Sequence, residues 1–212
     1  MGDIEMNIGI IGSGNIGATT ARLFAKAGQQ VALSNSRGPA SLTSIVEEIG
    51  AGVKATTTEE TASFGEVVLI AIPLKAYTSL SADLLNGKIV IDAMNYYPQR
   101  DGEMAVDKLS SSELVAQQLP GSQVVKAFNT LYFETIAKEG KATTPAESRL
   151  AILIAGDSPE AKATVAGLID EIGFTAVDTG NLKEGSRRQE QGTELYGKSL
   201  TAAEARAQLA AK

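Results

Sequence analysis

The sequence predicts an α/β protein built on a doubly wound, mostly parallel β-sheet with a short C-terminal extension. Short apolar runs rich in β-branched residues, typical of strands buried on both faces, recur along the chain. Segments with the apolar spacing of helices separate these runs. The first run, residues 7–11, also ends directly in a glycine-rich turn that opens a helix. Together these observations favour a sheet with helices on both faces.

The glycine-rich turn is a full G-x-G-x-x-G sequence between a strand and a helix, the setting found in dinucleotide-binding sheets of the Rossmann type. The first glycine allows the tight turn, the second lets a pyrophosphate approach the backbone, and the third lets the helix pack closely on the strand. Open N–H groups at the helix start favour a phosphate. The predicted contacts are Gly12, Ser13, Gly14, Asn15, Ile16 and Gly17.

The end of the second strand, predicted over residues 30–35, indicates which dinucleotide is bound. An NAD site carries an acidic residue there for the ribose hydroxyls, whereas this chain has Asn35, Ser36 and Arg37. A guanidinium binds a 2′-phosphate through charge-assisted hydrogen bonds, and a carboxylate would repel it. The sequence therefore favours NADP over NAD, with Ser36 and Arg37 as the 2′-phosphate contacts.

The later elements continue the alternation of strand and helix. Further strands are predicted over residues 53–55, 66–72, 88–93, 123–129, 150–156 and 174–178, and helices over 18–28, 41–49, 58–63, 74–85, a stretch from Ser111 or Ser112 to 119, a stretch ending at 138, and 159–172. Residues 99–107 are predicted as a loop. Thr201 is expected to cap a final Ala-rich helix. We therefore divide the chain into a dinucleotide-binding domain, 1–181, and a C-terminal helical extension, 182–212.

Composition excludes several kinds of chemistry. The chain has no Cys and no His, so thiol catalysis, disulfides and imidazole acid–base chemistry are absent and no metal site is expected. A formal net charge of −6 disfavours nucleic acid and anionic membranes as partners. The acidic N-terminus and the lack of a long apolar run predict a cytoplasmic protein.

Several of these motifs together resemble the coenzyme F420-dependent NADP oxidoreductases. The resemblance rests on GIIGSGNIG at 9–17, SNSRGP at 34–39, Ile72-Pro73, the turn at 92–95 and KAFNT at 126–130, and it extends to about Gly180. The chain is also similar to the cytoplasmic reductase domain of membrane metalloreductases of the STEAP type. Archaeal members of the F420 family carry His where this chain has Asn129.

The resemblance implies a hydride transfer between NADPH and a deazaflavin or flavin. It places the nicotinamide near Ile72 and Pro73, and Ala71, Ala93 and Asn95 are further predicted cofactor contacts. The acceptor is expected near Asn95, Asn129 and Thr130. Because such a reaction depends on distance and stacking, no catalytic acid or base is predicted.

Other readings stay open at this stage. A reductase of small carbonyls or imines needs a proton donor, for which Tyr96, Tyr97 and Tyr132 are candidates, although packing or stacking is the simpler role for each. Tyr196 and Lys198 lack the Tyr-x-x-x-Lys spacing of short-chain dehydrogenases.

Lys126 and Asn129 also lack the spacing of the hydroxyacid dehydrogenases, which use Lys and Asn four positions apart on one helix. Lys126, three positions before Asn129, is expected to be a partly exposed structural lysine. A redox sensor that binds NADP without turnover and a flavin-using metalloreductase are further alternatives. The apolar side of the final helix predicts a homodimer.

Overall fold

The computed structural model of the protein describes residues 6–50, 52–104, 106 and 108–211. Within these ranges the strands are β1 Asn7–Ile11, β2 Gln30–Ser34, β3 Val53–Ala55, β4 Val67–Ile70, β5 Ile89–Asp92, β6 Gln123–Lys126, β7 Ala151–Gly156 and β8 Thr175–Asp178. They form one eight-stranded sheet in the order β3-β2-β1-β4-β5-β6-β7-β8.

The sheet confirms the predicted fold class. Every neighbouring pair of strands is parallel except β6 and β7, which are antiparallel. The chain starts in the middle at β1, builds outward to β3, and returns to place β4 on the other side of β1. The reversal between β1 and β4 creates the crevice at the carboxyl ends of the strands where open α/β folds bind ligands.

Helices cover both faces of the sheet. They are α1 Asn15–Lys26, α2 Thr43–Ile49, α3 Thr58–Phe64, α4 Ala82–Leu85, α5 Pro98–Asp101, α6 Ser111–Gln118, α7 Phe133–Glu139, α8 Pro159–Glu171 and α9 Ala202–Ala210. Short 3₁₀ helices lie at Pro39–Leu42, Leu74–Ser79, Ala146–Ser148 and Arg187–Gln189. Among the residues described, none of these helices is long and apolar enough to cross a bilayer.

Several predicted boundaries of helices and loops are wrong. The segment predicted as one helix over 74–85 is a 3₁₀ helix and α4, separated by the extended residues Leu80 and Ser81. The segment predicted as a loop over 99–107 begins inside α5, and its last residue lies outside the described ranges. Ser110, not Ser111 or Ser112, caps α6, because its hydroxyl and the Glu113 carboxylate close a reciprocal capping box.

The core lies on both sides of the sheet. Phe24 of α1 packs edge-to-face on Phe128, with ring centroids 6.1 Å apart, on one side. A separate cluster on the other side includes Leu74, Leu85 and Val115. The two packed faces hold the carboxyl ends of the strands rigidly beside one another.

The C-terminal helix packs against the antiparallel edge of the sheet. Thr201 caps α9 through a capping box with Glu204, as predicted. Ala202 and Ala205 are fully buried in a cluster with residues of β7 and β8. The apolar side of α9 that prompted the expectation of a dimer is therefore used within the chain itself. The domain division at residue 181 stays a prediction.

Candidate functional site

The glycine-rich turn folds as its sequence requires. Gly12 has φ +110°, and a Cβ there would overlap the Ala71 carbonyl. A Cβ at Gly17 would overlap the Gly12 carbonyl, because α1 packs directly over the turn. Close approach of the helix to the end of β1 therefore depends on both glycines.

The second glycine of the motif lies in open space. No atom lies within 4 Å of the position a Gly14 Cβ would take, and both Gly14 and Asn15 are exposed. Gly14 caps α1 with no side-chain hydrogen bond, so the first N–H groups of this 12-residue helix remain open. This cradle, which a side chain would fill, fits a phosphate group.

Asn35 connects the second strand end to the glycine turn. Its Nδ2 donates to Ser13 Oγ and Ser41 Oγ, both at 3.0 Å, and its Oδ1 accepts from Arg37 N at 2.8 Å. Ser36 and the Arg37 side chain are exposed beside it. Asn35 thus fixes a loop that presents a hydroxyl and a guanidinium next to the turn.

A cavity of about 360 Å³ opens at the carboxyl edge of the sheet. It brings together eight predicted site residues: Gly14, Asn15, Ile16, Ala71, Ile72, Pro73, Ala93 and Asn95. The predicted acceptor contacts Asn129 and Thr130 line the same cavity. The other predicted contacts, Gly12, Ser13, Gly17, Asn35, Ser36 and Arg37, lie outside its lining, in the turn and in the loop that Asn35 fixes.

Two asparagines join the strand ends at the far side of this cleft. Asn95 Nδ2 donates to the Asn129 carbonyl at 2.8 Å, and Asn129 Nδ2 donates to Asn95 Oδ1 at 3.0 Å and to the Gln189 carbonyl at 2.8 Å. Phe128, just before Asn129, has φ +62°, a left-handed conformation that an aromatic residue rarely adopts. The strained residue ends β6 abruptly and turns Asn129 and Thr130 into the cleft.

The sequence contains no motif for Arg100 or Tyr196 on this far side, and it indicates Tyr97 only as a candidate proton donor. Tyr97, Arg100 and Tyr196 line the cleft, and Tyr196 comes from the C-terminal segment. The Arg100 guanidinium lies 4.8 Å from the centre of the Tyr97 ring and donates to the Asn95 carbonyl at 2.7 Å. No sequence motif links these residues, so the only signal in the sequence is that their side chains are aromatic or charged.

The Tyr132 ring also lines the cleft and is 68 % exposed, and the other large apolar side chains of the described ranges are buried or half-buried. Of the tyrosines named as candidate proton donors, Tyr97 and Tyr132 reach the cleft. The third, Tyr96, lies outside the lining and donates from its hydroxyl to the Gly102 carbonyl at 2.7 Å.

Asp101 holds Arg100 beside the cleft. Its carboxylate accepts from Arg100 Nε at 2.9 Å and from Arg100 Nη2 at 2.8 Å. Burial works against ionisation of Asp101, yet the hydrogen bonds from Arg100 and from the Tyr97 N–H, with the charge of Arg100, hold its pKa below the ordinary value. Asp101 therefore stays a carboxylate that neutralises much of the Arg100 charge.

Lys126 corrects the expectation of a partly exposed lysine, because its side chain is fully buried. Its Nζ lies 3.1 Å from Asp92 Oδ2 and also donates to the Met94 carbonyl. Asp92 accepts further hydrogen bonds from the Met94 N–H at 2.9 Å and the Ser112 hydroxyl at 2.7 Å. This buried ion pair fixes the turn that carries Asn95 into the cleft.

The fold and the cleft define a dinucleotide-binding protein of the Rossmann type. Residues 7–96 match the family described as NADP oxidoreductase, coenzyme F420-dependent. A hypothetical protein of Sinorhizobium meliloti is 33 % identical, with a TM-score of 0.80 over 92 % of this chain and 95 % of its own. The chain belongs to this family of NADP-dependent oxidoreductases.

Two further relatives agree with this membership. A protein of Arthrobacter sp. FB24, assigned as an F420-dependent NADP reductase, is 26 % identical with a TM-score of 0.71, covering 84 % of this chain and 86 % of that one. Rat metalloreductase STEAP3 is 32 % identical over 177 residues, which is 82 % of this chain and 34 % of STEAP3. The chain thus spans about a third of the length of that curated relative.

Proposed function

We propose that the protein transfers a hydride between NADPH and a deazaflavin such as coenzyme F420, or a flavin-type acceptor. The observation that carries the proposal is the single cleft that runs from the helix start at Gly14 to the exposed ring of Tyr132. One end fits a phosphate, and the other offers an uncovered aromatic face on which a planar ring stacks favourably. The family membership supports a redox reaction between the two.

The cofactor contacts follow the geometry of the turn and the strand ends. We propose that residues 12–17 hold the pyrophosphate, because the open helix start and the bare Gly14 fit an anion. Ser36 and Arg37, presented by Asn35, bind the 2′-phosphate. Ala71, Ile72, Pro73, Ala93 and Asn95 surround the nicotinamide at the switch point of the sheet.

Bound NADPH supplies the hydride and the redox potential of the reaction. The chain supplies proximity and orientation, since the cleft walls come from strand ends packed between two buried cores. No group of three or more Asp, Glu, His or Cys side chains arranged to hold a metal ion occurs among the described residues. The polar and aromatic side chains that line the cleft are amides, hydroxyls, aromatic rings and one guanidinium, which is paired with Asp101.

The test is anaerobic oxidation of NADPH by the purified protein with coenzyme F420, FMN or riboflavin as acceptor. We expect reduction of at least one of them with NADPH and much slower reduction with NADH. The Arg37→Ala variant should weaken NADPH binding about 10- to 100-fold, the equivalent of one charge-assisted hydrogen bond, and leave NADH binding unchanged.

Tight NADPH binding without reduction of any of these acceptors would overturn the proposed acceptor class. Turnover of small carbonyls or imines instead would assign the protein to the competing reductase class, and the absence of any turnover would favour a redox sensor. Equal loss of NADH and NADPH binding in Arg37→Ala would contradict the assignment of the 2′-phosphate site.

We further propose that the protein acts in the cytoplasm on a small-molecule partner, without nucleic acid or membrane, and that it forms a homodimer through a surface other than the buried side of α9. The net charge of −6 supports the absence of polyanionic partners. Light scattering at working concentration measures the assembly, and a monomer mass would refute the dimer.

A further inference from the structure

Two tyrosine hydroxyls meet at the proposed acceptor end of the cleft, which is lined by Asn95, Tyr97, Asn129, Thr130, Tyr132 and Tyr196. The Oη atoms of Tyr97 and Tyr196 are 2.6 Å apart although the residues are 99 positions apart in the chain. Both residues line the cleft, on the side away from the glycine-rich turn. A hydrogen bond this short between two phenols places a polar pair on a wall otherwise rich in aromatic rings.

The pair is held from both sides. The Gly197 N–H donates to the Thr130 carbonyl at 2.9 Å, which fixes the backbone next to Tyr196. The Tyr97 ring lies under the Arg100 guanidinium. Asn95 Nδ2 lies 3.5 Å from Tyr196 Oη, at the limit of a hydrogen bond. The hydroxyl positions are therefore set by contacts that join three segments of the chain: residues 95–100, Thr130 and residues 196–197.

The two hydroxyls carry two O–H hydrogens, and only one of them is donated to another protein atom. One O–H donates to the other hydroxyl, and Asn95 contacts Tyr196 as a donor, not as an acceptor. Among the described residues, no second oxygen or nitrogen accepts a hydrogen bond from either hydroxyl. The remaining O–H is thus available to a molecule in the cleft.

Tyr196 keeps its proton at working pH. Burial, the hydrogen bond to Tyr97 and the nearby phenols of Tyr97 and Tyr132 raise the pKa of Tyr196, and the charge of Arg100 only partly opposes them. A phenol with a raised pKa is a poor acid but a constant hydrogen-bond donor. These groups are the titratable and charged neighbours that act on the Tyr196 hydroxyl.

Building on the proposed function, we propose that the Tyr97–Tyr196 hydroxyl pair donates a hydrogen bond to the acceptor nitrogen or carbonyl oxygen that becomes negative as the hydride arrives. The hydride carries an electron pair from C4 of the nicotinamide to a ring atom of the acceptor. NADPH becomes NADP⁺, and the conjugated N–C=O group of the acceptor takes the charge. A proton from water completes the reduction, and both tyrosines stay protonated throughout.

This role selects a chemical class of acceptor. A suitable acceptor must carry a nitrogen or carbonyl oxygen conjugated to the atom that receives the hydride, as flavins and deazaflavins do. A fixed donor aimed at developing charge stabilises the transition state more than the ground state. The C-terminal segment, which lies beyond the matched residues 7–96, thereby contributes directly to acceptor chemistry.

The test is a single-turnover, anaerobic stopped-flow measurement of NADPH oxidation. Protein saturated with NADPH is mixed with FMN and, in parallel, with coenzyme F420. We compare the wild type with Tyr196→Phe, Tyr97→Phe and the double variant. Tyr77→Phe is the matched control, because Tyr77 is half-buried outside the cleft lining.

We expect either cleft variant to slow hydride transfer at saturating acceptor about 100-fold, because the hydroxyl that remains loses the partner that fixes its direction and is no longer a preorganised donor. The double variant should be little slower than the single variants, because the hydroxyls act as a unit. NADPH affinity and Tm should stay at wild-type values, and the wild-type rate should be flat from about pH 6 to 9, well below the raised pKa of Tyr196. Tyr77→Phe should match the wild type.

Each other outcome is decisive. Wild-type rates in Tyr196→Phe and Tyr97→Phe would overturn the inference and leave the proposed function standing. A slower rate accompanied by weaker NADPH binding or a lower Tm would also overturn the inference, since a structural role of the two tyrosines explains that result. If the wild type reduces neither acceptor, the proposed function fails and the inference fails with it. If one variant does not fold, the other decides, because each removes one of the two hydroxyls.

Discussion

The two ends of the cleft are built in different ways. The proposed phosphate-binding end is formed mainly by backbone: a turn with two sterically required glycines and the open start of α1. The proposed acceptor end is formed by side chains from separate segments, among them Asn95, Tyr97, Asn129 and Tyr196. One end lies within a dozen consecutive residues, and the other spans about half the chain.

The difference predicts that related proteins share the glycine-rich end of the cleft more readily than the other end. A backbone cradle tolerates few substitutions, because a Cβ at Gly12 or Gly17 meets another carbonyl. Side-chain hydroxyls and amides can be exchanged without moving the backbone, so the acceptor end can change specificity while the fold stays the same. The matched family region, residues 7–96, accordingly covers the whole glycine turn but only part of the acceptor end.

The largest effect is expected from breaking the ion pair beneath the acceptor end. Lys126→Met leaves the fully buried Asp92 carboxylate without its cation, so the free energy of unfolding should fall by about 3–5 kcal/mol. Urea unfolding followed by tyrosine fluorescence measures it. The double variant Asp92→Asn/Lys126→Met serves as the control and should recover part of the loss, because no buried charge remains. Full stability of Lys126→Met would show that the pair does not hold this end.

An alanine pair probes the backbone end. Gly17→Ala should lower the free energy of unfolding by about 1–3 kcal/mol, because its Cβ meets the immobile Gly12 carbonyl. Gly14→Ala has open space and φ −71°, so its Tm should stay within a few degrees of wild type. Its Cβ should still weaken NADPH binding, as measured by fluorescence titration. Equal Tm values for the two variants would contradict the assignment of separate packing and binding roles.

The smallest effect is expected at the exposed ring. Tyr132→Ala removes a 68 % exposed side chain, so stability should not change. Loss of a stacking face worth about 1 kcal/mol should raise the KM for FMN or F420 roughly fivefold and leave NADPH binding alone. Steady-state kinetics with Tyr132→Phe as the matched control checks this. A similar KM increase in the Phe variant would assign the effect to the hydroxyl and not to the ring.

The glycine motif, the sheet and the cap of α9 follow from local sequence. Within residues 12–17 the signal is local, because Gly12 has φ +110° and a Cβ at Gly17 would overlap the Gly12 carbonyl. Thr201 and Glu204 form their capping box within one helical turn. The break within the segment 74–85 depends instead on packing. The start of α6 depends on which of three neighbouring serines, Ser110, Ser111 or Ser112, forms the cap.

The acceptor end shows what local sequence does not contain. A lysine at the end of a strand, such as Lys126, is expected to be exposed. In the folded protein it is buried, because Asp92 of the adjacent strand supplies the opposite charge. Tyr196 has no motif, and only the return of the C-terminal segment across Thr130 brings it to Tyr97. Contacts between residues 99 positions apart leave no periodic or spaced signal in the chain.

The sequence by itself therefore determined the sheet and its glycine-rich turn, because periodicity and glycine sterics act over a few residues. The 2′-phosphate contact stays a prediction, and it rests on the absence of an acid at residue 35. Only the tertiary structure decided which amides, hydroxyls and charges meet at the acceptor end. At that end the stabilising interactions are hydrogen bonds and an ion pair between segments that are distant in the chain. They form only in the completed fold, where these groups are buried together.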